Sequence, residues 1–355
     1  MRRTFVFGIL TFLLVIGMIE LMSWGFVALA TRIGVLHFYP KDIFARLPDD
    51  QLTKGTRSNG LGWPSHDNPR SVPMEAGPIC ASAFGDSFTF GLEVEDGETW
   101  IHLLSRRFGC TIRNYGIGGY GFDQAVLRAE RIAPRDDVVI FGLIIEMPRR
   151  SVAASWTFYG GGEPAVYSNI KPYFTVSGGD LLLHRIPAPL TREAIAAHHV
   201  NDYYMRHGWT NPGFPNVVQV ARATYATTMR WLEYRLLTDA FWGTSHPSGS
   251  GVLIRRLVDR VVRASRGRNK HVVIVLMPIP DDFSDDTPQY DQFAEELRRR
   301  GDVCVIDTAP TVRAQARLVG VAALSAPGKH LNAPGNRVVA EAVAAGLDRC
   351  GIRLG

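Results

Sequence analysis

The sequence predicts an α/β protein in which a mostly parallel sheet is covered by helices on both faces, with a large insertion and an N-terminal transmembrane helix. Short apolar runs alternate with segments of helical periodicity, which is the pattern of strands joined by helices. One run, Asp137–Ile145, is apolar after its first residue, as strands buried on both faces are. The first apolar run, Thr4–Ala30, is long enough to cross a bilayer.

Residues 4–30 form the first predicted element, a membrane helix with one ionisable residue, Glu20. At a rise of 1.5 Å per residue, about 20 apolar residues cross the hydrocarbon core. A cleaved signal peptide is the alternative, because Ala28-Leu29-Ala30 imitates a cleavage site, but the run is longer than a signal core. We therefore expect a retained single-pass anchor in the inner (cytoplasmic) membrane. Because a short basic head usually stays inside, we expect the C-terminal domain to face the periplasm or the outside.

The rest of the chain divides into a turn-rich stalk at 32–77, packed on the domain, and an α/β domain at 78–355, while the anchor occupies 1–31. The predicted strands of the domain are Ile79–Phe84, Cys110–Tyr115, Asp137–Ile145, Val272–Met277 and Val303–Asp307. The predicted helices are Thr99–Phe108, Phe122–Ile132, Val252–Ala264, Gln292–Arg300 and Val338–Leu347.

The alternation of strands and helices breaks at about 147–250, after the third strand. Glycines and prolines separate short strand-like pieces there, Tyr173–Val176 and Leu181–Leu183, and a helix is predicted at Gln219–Leu237. An insertion at this point overhangs the C-terminal edge of the sheet, where α/β proteins bind ligands. We predict that it contributes to substrate recognition.

Composition excludes several classes of protein. A chain of 355 residues with 46% apolar content is too long and too hydrophobic for a disordered protein or a disulfide miniprotein. The net charge is only +5 and the basic residues are scattered, so no nucleic-acid partner is expected. The four cysteines lie far apart without metal-ligand spacing, which argues against structural zinc and makes any disulfide optional for the fold.

Three short segments carry residues suited to chemistry. The serine block, residues 84–91, places Ser87 in a Gly-Asp-Ser turn after the first strand, where its hydroxyl is exposed at the sheet edge and its N–H faces an anion-binding turn. The glycine block, residues 114–121, follows the second strand and lets the backbone approach a ligand closely. The histidine block, residues 328–336, places His330 in a turn from which a neutral imidazole can reach a serine.

A cofactor or a metal is the alternative use of these residues. A dinucleotide loop would need the glycine block in the first strand-to-helix turn and an acidic residue at the end of the next strand, and the sequence has neither. His198, His199 and His207 lack the carboxylate pattern of a zinc-binding helix, so structural or surface roles are favoured over a metal site. We expect no cofactor and no metal.

Together the three blocks resemble the SGNH (GDSL-like) hydrolase family, whose members have a three-layer flavodoxin-like fold and include esterases and carbohydrate acetyl-esterases or acetyltransferases. The resemblance covers 78–146 and 250–350. It implies that Ser87 is the nucleophile and His330 the base, and that the N–H groups of Ser87 and Gly119 hold the oxyanion. The N-terminal segment is similar to that of membrane-anchored relatives, which often serve in acylation of envelope polysaccharides.

Two departures from the family pattern bear on activity. The family carries an asparagine oxyanion donor after the third strand, where this chain has Leu143–Met147 without asparagine. The family also carries an aspartate two or three residues before the histidine, and those positions are Gly328 and Pro327. A substitute acid would have to come from the insertion or from Asp307, although an aspartate at a strand end is more typical of a turn or cap. Asp86 is expected to brace its turn.

Two functions follow from this interpretation. The first is a membrane-anchored serine esterase or O-acyltransferase that acts on acyl esters of a cell-envelope or secreted glycan through an acyl-Ser87 intermediate. The alternative is a catalytically degenerate protein of the same fold that binds a glycan or a partner protein in an envelope modification or export complex. A catalytic site requires Ser87 and His330, distant along the chain, to meet at one edge of the sheet.

Overall fold

A computed structural model gives the architecture of the chain. It describes residues 2–32, 60–62, 67–70, 77–155, 170–204, 215–218, 220–221, 224–225, 228, 241–269, 271–283 and 290–354. The strands are β1 (Ile79–Phe84), β2 (Thr111–Asn114), β3 (Val138–Ile144), β4 (Tyr173–Ser177), β5 (Asp180–His184), β6 (His271–Met277) and β7 (Cys304–Asp307). The helices are α1 (Arg2–Arg32), α2 (Ser87–Phe90), α3 (Trp100–Phe108), α4 (Phe122–Ile132), α5 (Met147–Ser151), α6 (Arg192–His198), α7 (Ser250–Ser265), α8 (Asp291–Arg300), α9 (Ala309–Val319) and α10 (Ala333–Arg349).

The chain forms two compact units. One consists of Met1–Leu52 with Pro187–Thr238, and the other of Thr53–Ile186 with Asp239–Gly355. The second unit contains both sheets and all three sequence blocks.

Five strands of the second unit form a parallel sheet in the order β2-β1-β3-β6-β7. This is the flavodoxin-type doubly wound order, and it confirms the predicted α/β class. Every predicted strand of this sheet agrees with the observed one to within one residue at each end. The strand order reverses between β1 and β3, and ligands of such sheets bind beside that reversal at the carboxyl ends of the strands.

The core surrounds the central strands. All seven residues of β3 are buried, and so are six of the seven in β6. Each fully buried Val, Leu or Ile side chain contributes roughly 1.5–3 kcal/mol, so these two strands dominate the apolar core. Helix α3 packs on α10, and α4 packs on α7, as the amphipathic patterns of these segments predict.

Two elements of the second unit test the rest of the sequence prediction. The short strand-like pieces of the insertion are confirmed, since β4 and β5 pair antiparallel as a hairpin. Helix α9 has no counterpart among the predicted elements. Its apolar face is narrow, with Val312 as its one large buried aliphatic residue, so the periodicity is weak. The predicted helix at Gln219–Leu237 lies largely outside the described residues.

The first unit contains helix α1. Its apolar stretch Phe5–Leu29 is long enough to cross a membrane. The carboxylate of Glu20 accepts hydrogen bonds from the side-chain amide and backbone N–H of Asn216 and from the N–H of Val217. The one ionisable residue of the apolar run is therefore paired within its own unit.

All four cysteines form disulfides, and whether the fold depends on them stays a prediction. Cys80 of β1 is bonded to Cys110 just before β2, and Cys304 of β7 is bonded to Cys350 after α10. Spacing along the sequence cannot show this pairing, because it depends on which strands and helices become neighbours. The two bonds secure β2 and β7, the two edge strands of the sheet. Such bonds persist in oxidising compartments.

Replacing both Cys304 and Cys350 by serine should lower the free energy of unfolding by about 2–4 kcal/mol. The bond closes a loop of 46 residues, and its removal frees the unfolded chain. Urea unfolding of the double variant measures the change. An unchanged midpoint and slope would show that the bond does not stabilise the fold.

Candidate active site

The serine block passes from β1 into the short helix α2, and this turn fixes Ser87. Asp86 is the N-cap of α2, because its Oδ1 accepts the backbone N–H of Phe88 at 3.0 Å. It therefore braces the turn, as predicted. Gly85 has no room for a side chain, since a Cβ would lie 2.1 Å from Thr89 Oγ1. Ser87 is 4% exposed, so the residue is buried, which corrects the expectation that its hydroxyl is exposed at the sheet edge.

The glycine block runs alongside the serine block. Asn114, the last residue of β2, donates from Nδ2 to two backbone carbonyls of the serine block at 2.9 and 3.2 Å. A Cβ at Gly116 would lie 2.4 Å from a backbone nitrogen of α2, so only glycine permits this approach. A Cβ at Gly118 would lie 4.0 Å from Ser87 Cβ. Gly119 follows in the left-handed conformation, at φ +79°. Gly119, the predicted oxyanion donor, therefore directly follows Gly118, which lies beside Ser87.

The structure brings His330 to Ser87. The distance from His330 Nε2 to Ser87 Oγ is 3.0 Å, although 243 positions separate the two residues. The imidazole also packs against the ring of Phe88, at 5.2 Å between ring centres. This contact meets the spatial requirement that the sequence interpretation imposed, and it is a hydrogen bond through which a proton can pass.

Glu93 contacts the other side of the imidazole. His330 Nδ1 lies 2.8 Å from Glu93 Oε2, and the carboxylate also accepts the backbone N–H groups of Gly328 at 2.8 Å and of His330 at 3.3 Å. A carboxylate can only accept, so Nδ1 carries the proton and Nε2 is free to accept the Ser87 hydroxyl. Ser87, His330 and Glu93 therefore form one continuous hydrogen-bonded chain.

The charge of Glu93 follows from these partners. Burial alone would raise the pKa of this carboxyl group, but hydrogen bonds from the His330 ring and the Gly328 backbone outweigh it and hold the pKa below its usual range. The group is ionised at neutral pH. It can therefore orient the imidazole and stabilise the imidazolium.

Sequence reasoning missed Glu93, whereas Asp307 has the turn or cap role that the sequence analysis favoured for it. Glu93 lies in the turn after α2, and not in the insertion or the final strand, where the sequence analysis looked for a substitute acid. Asp307 accepts the hydroxyl of Tyr290 at 2.9 Å and the backbone N–H of Ala309 at 3.0 Å, so it acts as a cap. One feature of the sequence fits the Glu93 contact: a Cβ at Gly328 would lie 2.5 Å from Glu93 Oε2, so the missing side chain leaves space for the acid.

A carboxylate occupies the region where the family carries its asparagine. Glu146 follows β3 and pairs with Arg150, whose Nη2 lies 2.8 Å from Glu146 Oε2 and whose Nη1 lies 3.0 Å from Asp86 Oδ2. Burial would raise the pKa of Glu146, but Arg150 and Arg149 lower it below the usual value. Burial raises the pKa of Asp86, and Arg150 opposes the shift. This cluster joins β3 to the serine block and supplies no amide donor.

The histidines that the sequence analysis considered as metal ligands lie in the first unit. His198 and His199 are both buried, and His199 Nδ1 lies 2.7 Å from the carbonyl oxygen of Ile195. Burial lowers the pKa of His199 to about 3, so the ring is neutral. In the part of the chain that the structure describes, no three His, Cys, Asp or Glu side chains are grouped as metal ligands. His207 lies outside that part.

Comparisons with known proteins give a structural likeness. No family model and no curated protein sequence matches the chain. The solved structures that match include GDSL-type lipolytic proteins and an esterase. A lipolytic protein of the G-D-S-L family from Veillonella parvula is 14% identical, with 76% of this chain and 99% of that chain covered and a TM-score of 0.39. A putative lipolytic protein of that family from Desulfitobacterium hafniense is 10% identical (76% and 99% covered, TM-score 0.36). A catalytic mutant of the acetylxylan esterase Axe2 from Geobacillus stearothermophilus is 14% identical (77% and 96% covered, TM-score 0.38).

Substituting Gly85 by alanine should destabilise the fold by about 1–3 kcal/mol, because the new methyl group would overlap Thr89 and lie 2.7 Å from the carbonyl oxygen of Gly142. Urea unfolding of the variant measures the loss. Gly97→Ala is the matched control, since the nearest atom to its Cβ lies at 4.0 Å. Equal stability of the two variants would contradict the close packing described for the serine block.

Proposed function

We propose that this protein is a serine esterase or O-acyltransferase in which Ser87 is the nucleophile, His330 the general base and Glu93 the orienting acid. One observation carries the proposal: two hydrogen bonds, of 3.0 and 2.8 Å, join the hydroxyl, the imidazole and the carboxylate in the order that nucleophilic catalysis requires. Ser87 is the first residue of α2, Glu93 lies in the turn after α2, and His330 lies in the loop before α10.

The mechanism follows from this order. His330 Nε2 accepts the hydroxyl proton as Ser87 Oγ attacks an ester carbonyl, and the imidazolium formed is stabilised by the Glu93 carboxylate. The backbone N–H groups of Ser87 and Gly119 hold the tetrahedral oxyanion. Collapse expels the alcohol, which takes its proton from His330, and leaves an acyl group on Ser87. Water or a glycan hydroxyl, deprotonated by the same imidazole, then removes the acyl group.

Glu93 changes the consequence of the missing aspartate. Loss of the orienting carboxylate in a serine triad costs about 10⁴ in rate. The residue at position 93 supplies a carboxylate on Nδ1, so this loss does not apply. The loss of rate caused by the missing asparagine remains, because Glu146 is paired with arginine and supplies no amide donor. One absent oxyanion donor reduces the rate by about 10²–10³. We therefore expect a slower enzyme than one with a complete oxyanion hole.

Location and substrate class follow from other features. Both disulfides require an oxidising compartment, which supports a domain outside the cytoplasm. The apolar stretch of α1 supports an anchor in the inner membrane, with the domain on the periplasmic or outer side. Acyl esters of a cell-envelope or secreted glycan are then the accessible substrates, in agreement with the resemblance to membrane-anchored SGNH proteins.

The alternative is a catalytically degenerate protein of this fold that binds a glycan or a partner protein in an envelope modification or export complex. Glu146 favours it, because a partly buried carboxylate, paired with Arg149 and Arg150, stands in the region where the family has a neutral donor. Reactivity of the serine distinguishes the two functions.

A fluorophosphonate probe should label the full chain in detergent, and Ser87→Ala should abolish the labelling, because the probe reacts with activated serine hydroxyls. Ser325→Ala is the matched control: this half-buried hydroxyl donates to a backbone carbonyl at 3.0 Å and should not affect labelling. Labelling that survives in Ser87→Ala would overturn the assignment of the nucleophile. Absence of labelling in the wild-type chain, beside a reactive control esterase, would favour the binding protein.

Glu93→Ala should reduce kcat for ester hydrolysis by about 10³–10⁴, because the imidazole loses the partner that fixes its tautomer and orientation. Glu93→Gln should recover part of this loss, since its amide oxygen can still accept the Nδ1 proton. Glu341→Gln, which changes an exposed carboxylate on α10, should leave kcat within about twofold. Steady-state kinetics on a soluble acetyl ester measure all three variants. Similar kcat values for Glu93→Ala and the wild type would remove Glu93 from the site.

A further inference from the structure

Arg70 precedes the sheet in the sequence and is fixed to it. It belongs to the short described segment 67–70, upstream of β1, and its backbone N–H donates to the carbonyl of Asn114 at 2.7 Å. Asn114 is also the residue that holds the glycine block to the serine block. The side chain of Arg70 is 16% exposed, so it points into the protein.

The Arg70 guanidinium binds the turn that carries Glu93. Nη1 donates to the carbonyl oxygens of Phe90 at 3.1 Å and Gly91 at 2.6 Å, and Nη2 donates to that of Val94 at 2.6 Å. Nε pairs with Asp96 Oδ1 at 2.7 Å, and the guanidinium lies 4.4 Å from the centre of the Phe90 ring. These contacts lie on both sides of Glu93 along the chain.

Glu93 has an unfavourable backbone conformation, and the backbone hydrogen bonds of the turn are shorter before Glu93 than directly after it. Glu93 lies in the left-handed region at φ +71°, which a non-glycine residue rarely adopts. The backbone N–H groups of Gly91 and Leu92 donate to the carbonyl oxygen of Ser87 at 2.9 Å. The N–H of Val94 donates to the carbonyl oxygen of Gly91 at the longer distance of 3.4 Å. On the side following Glu93, Arg70 binds Val94 and Asp96, and the capping box of Glu95 and Glu98 adds local bonds. The planar fork of arginine reaches several carbonyls at once, which a lysine cannot do.

We propose that Arg70 is a positioning residue of the active site: it fixes the turn 90–96 and, through it, the Glu93 carboxylate against His330. The inference rests on the proposed function for its kinetic consequence, but the positioning itself is a structural claim. It makes a segment outside the sheet, between the N-terminal helix and the domain, part of the catalytic apparatus.

The kinetic test uses the full chain in detergent and a soluble acetyl ester. Arg70→Ala should lower kcat by about 10- to 100-fold with KM within about twofold, because small misplacements of a catalytic group cost up to about 10². In a Glu93→Ala background, Arg70→Ala should change kcat by less than about threefold, since residues that act through one another are non-additive. Arg70→Lys should restore only part of the loss. Additive losses would overturn the proposal.

Arg131→Ala is the matched control. Arg131 pairs with Asp67 at 2.8 Å and so contacts the same segment, 67–70, with a side chain that is 44% exposed. It should leave kcat within about twofold. A loss equal to that of Arg70→Ala would show that the segment acts only through general stability, and would also overturn the proposal.

Hydrogen exchange tests the positioning independently of activity. The amides of Gly328 and His330 donate to Glu93, so their exchange reports where its carboxylate lies. Both should exchange at least about tenfold faster in Arg70→Ala and in Glu93→Ala, but not in Arg131→Ala. Unchanged exchange in Arg70→Ala would overturn the proposal. If the wild-type chain hydrolyses no ester, the proposed function fails, while the exchange data still decide the role of Arg70.

Discussion

The carboxylate of Glu93 accepts three N–H groups from the histidine block, and the arrangement of the site depends on this interaction. It sets the tautomer of His330, holds the loop in which that histidine lies, and leaves Nε2 directed at Ser87. Glu93 and Ser87 lie on one short stretch of chain, six positions apart. Residues 87–93 thus supply two of the three groups, and the histidine block supplies the imidazole.

Close backbone approach makes this geometry possible. Gly85, Gly116 and Gly328 each lie where a Cβ would overlap a neighbour within 2.5 Å. Glu93 itself adopts a left-handed backbone, which costs roughly 1–2 kcal/mol for a non-glycine residue. Such a conformation persists only where the surroundings determine it, and here the histidine block on one side and Arg70 on the other do so. The tertiary contacts of this turn therefore offset the cost of the left-handed backbone at Glu93.

The sheet could be predicted from the sequence because burial on both faces leaves uninterrupted apolar runs, as in β3 and β6. The positions of Ser87 and His330 could be predicted as well, because each lies in a short motif beside a strand or helix end. Glu93 could not, since its role depends on one backbone angle and on a contact with residue 328, and neither leaves a periodic pattern. The disulfides required the strand order, because β1 and β2 bring Cys80 and Cys110 together only once they pair.

The location of Arg70 separates two boundaries that usually coincide. The sheet begins at Ile79, where β1 starts, and a recombinant fragment designed from the sheet alone would start there. Such a fragment keeps every strand of the sheet, both cysteine pairs, Ser87 and His330. It nonetheless lacks the guanidinium that spans the turn after α2. Because we infer that Arg70 positions Glu93, the chain that this site requires extends upstream of the first strand.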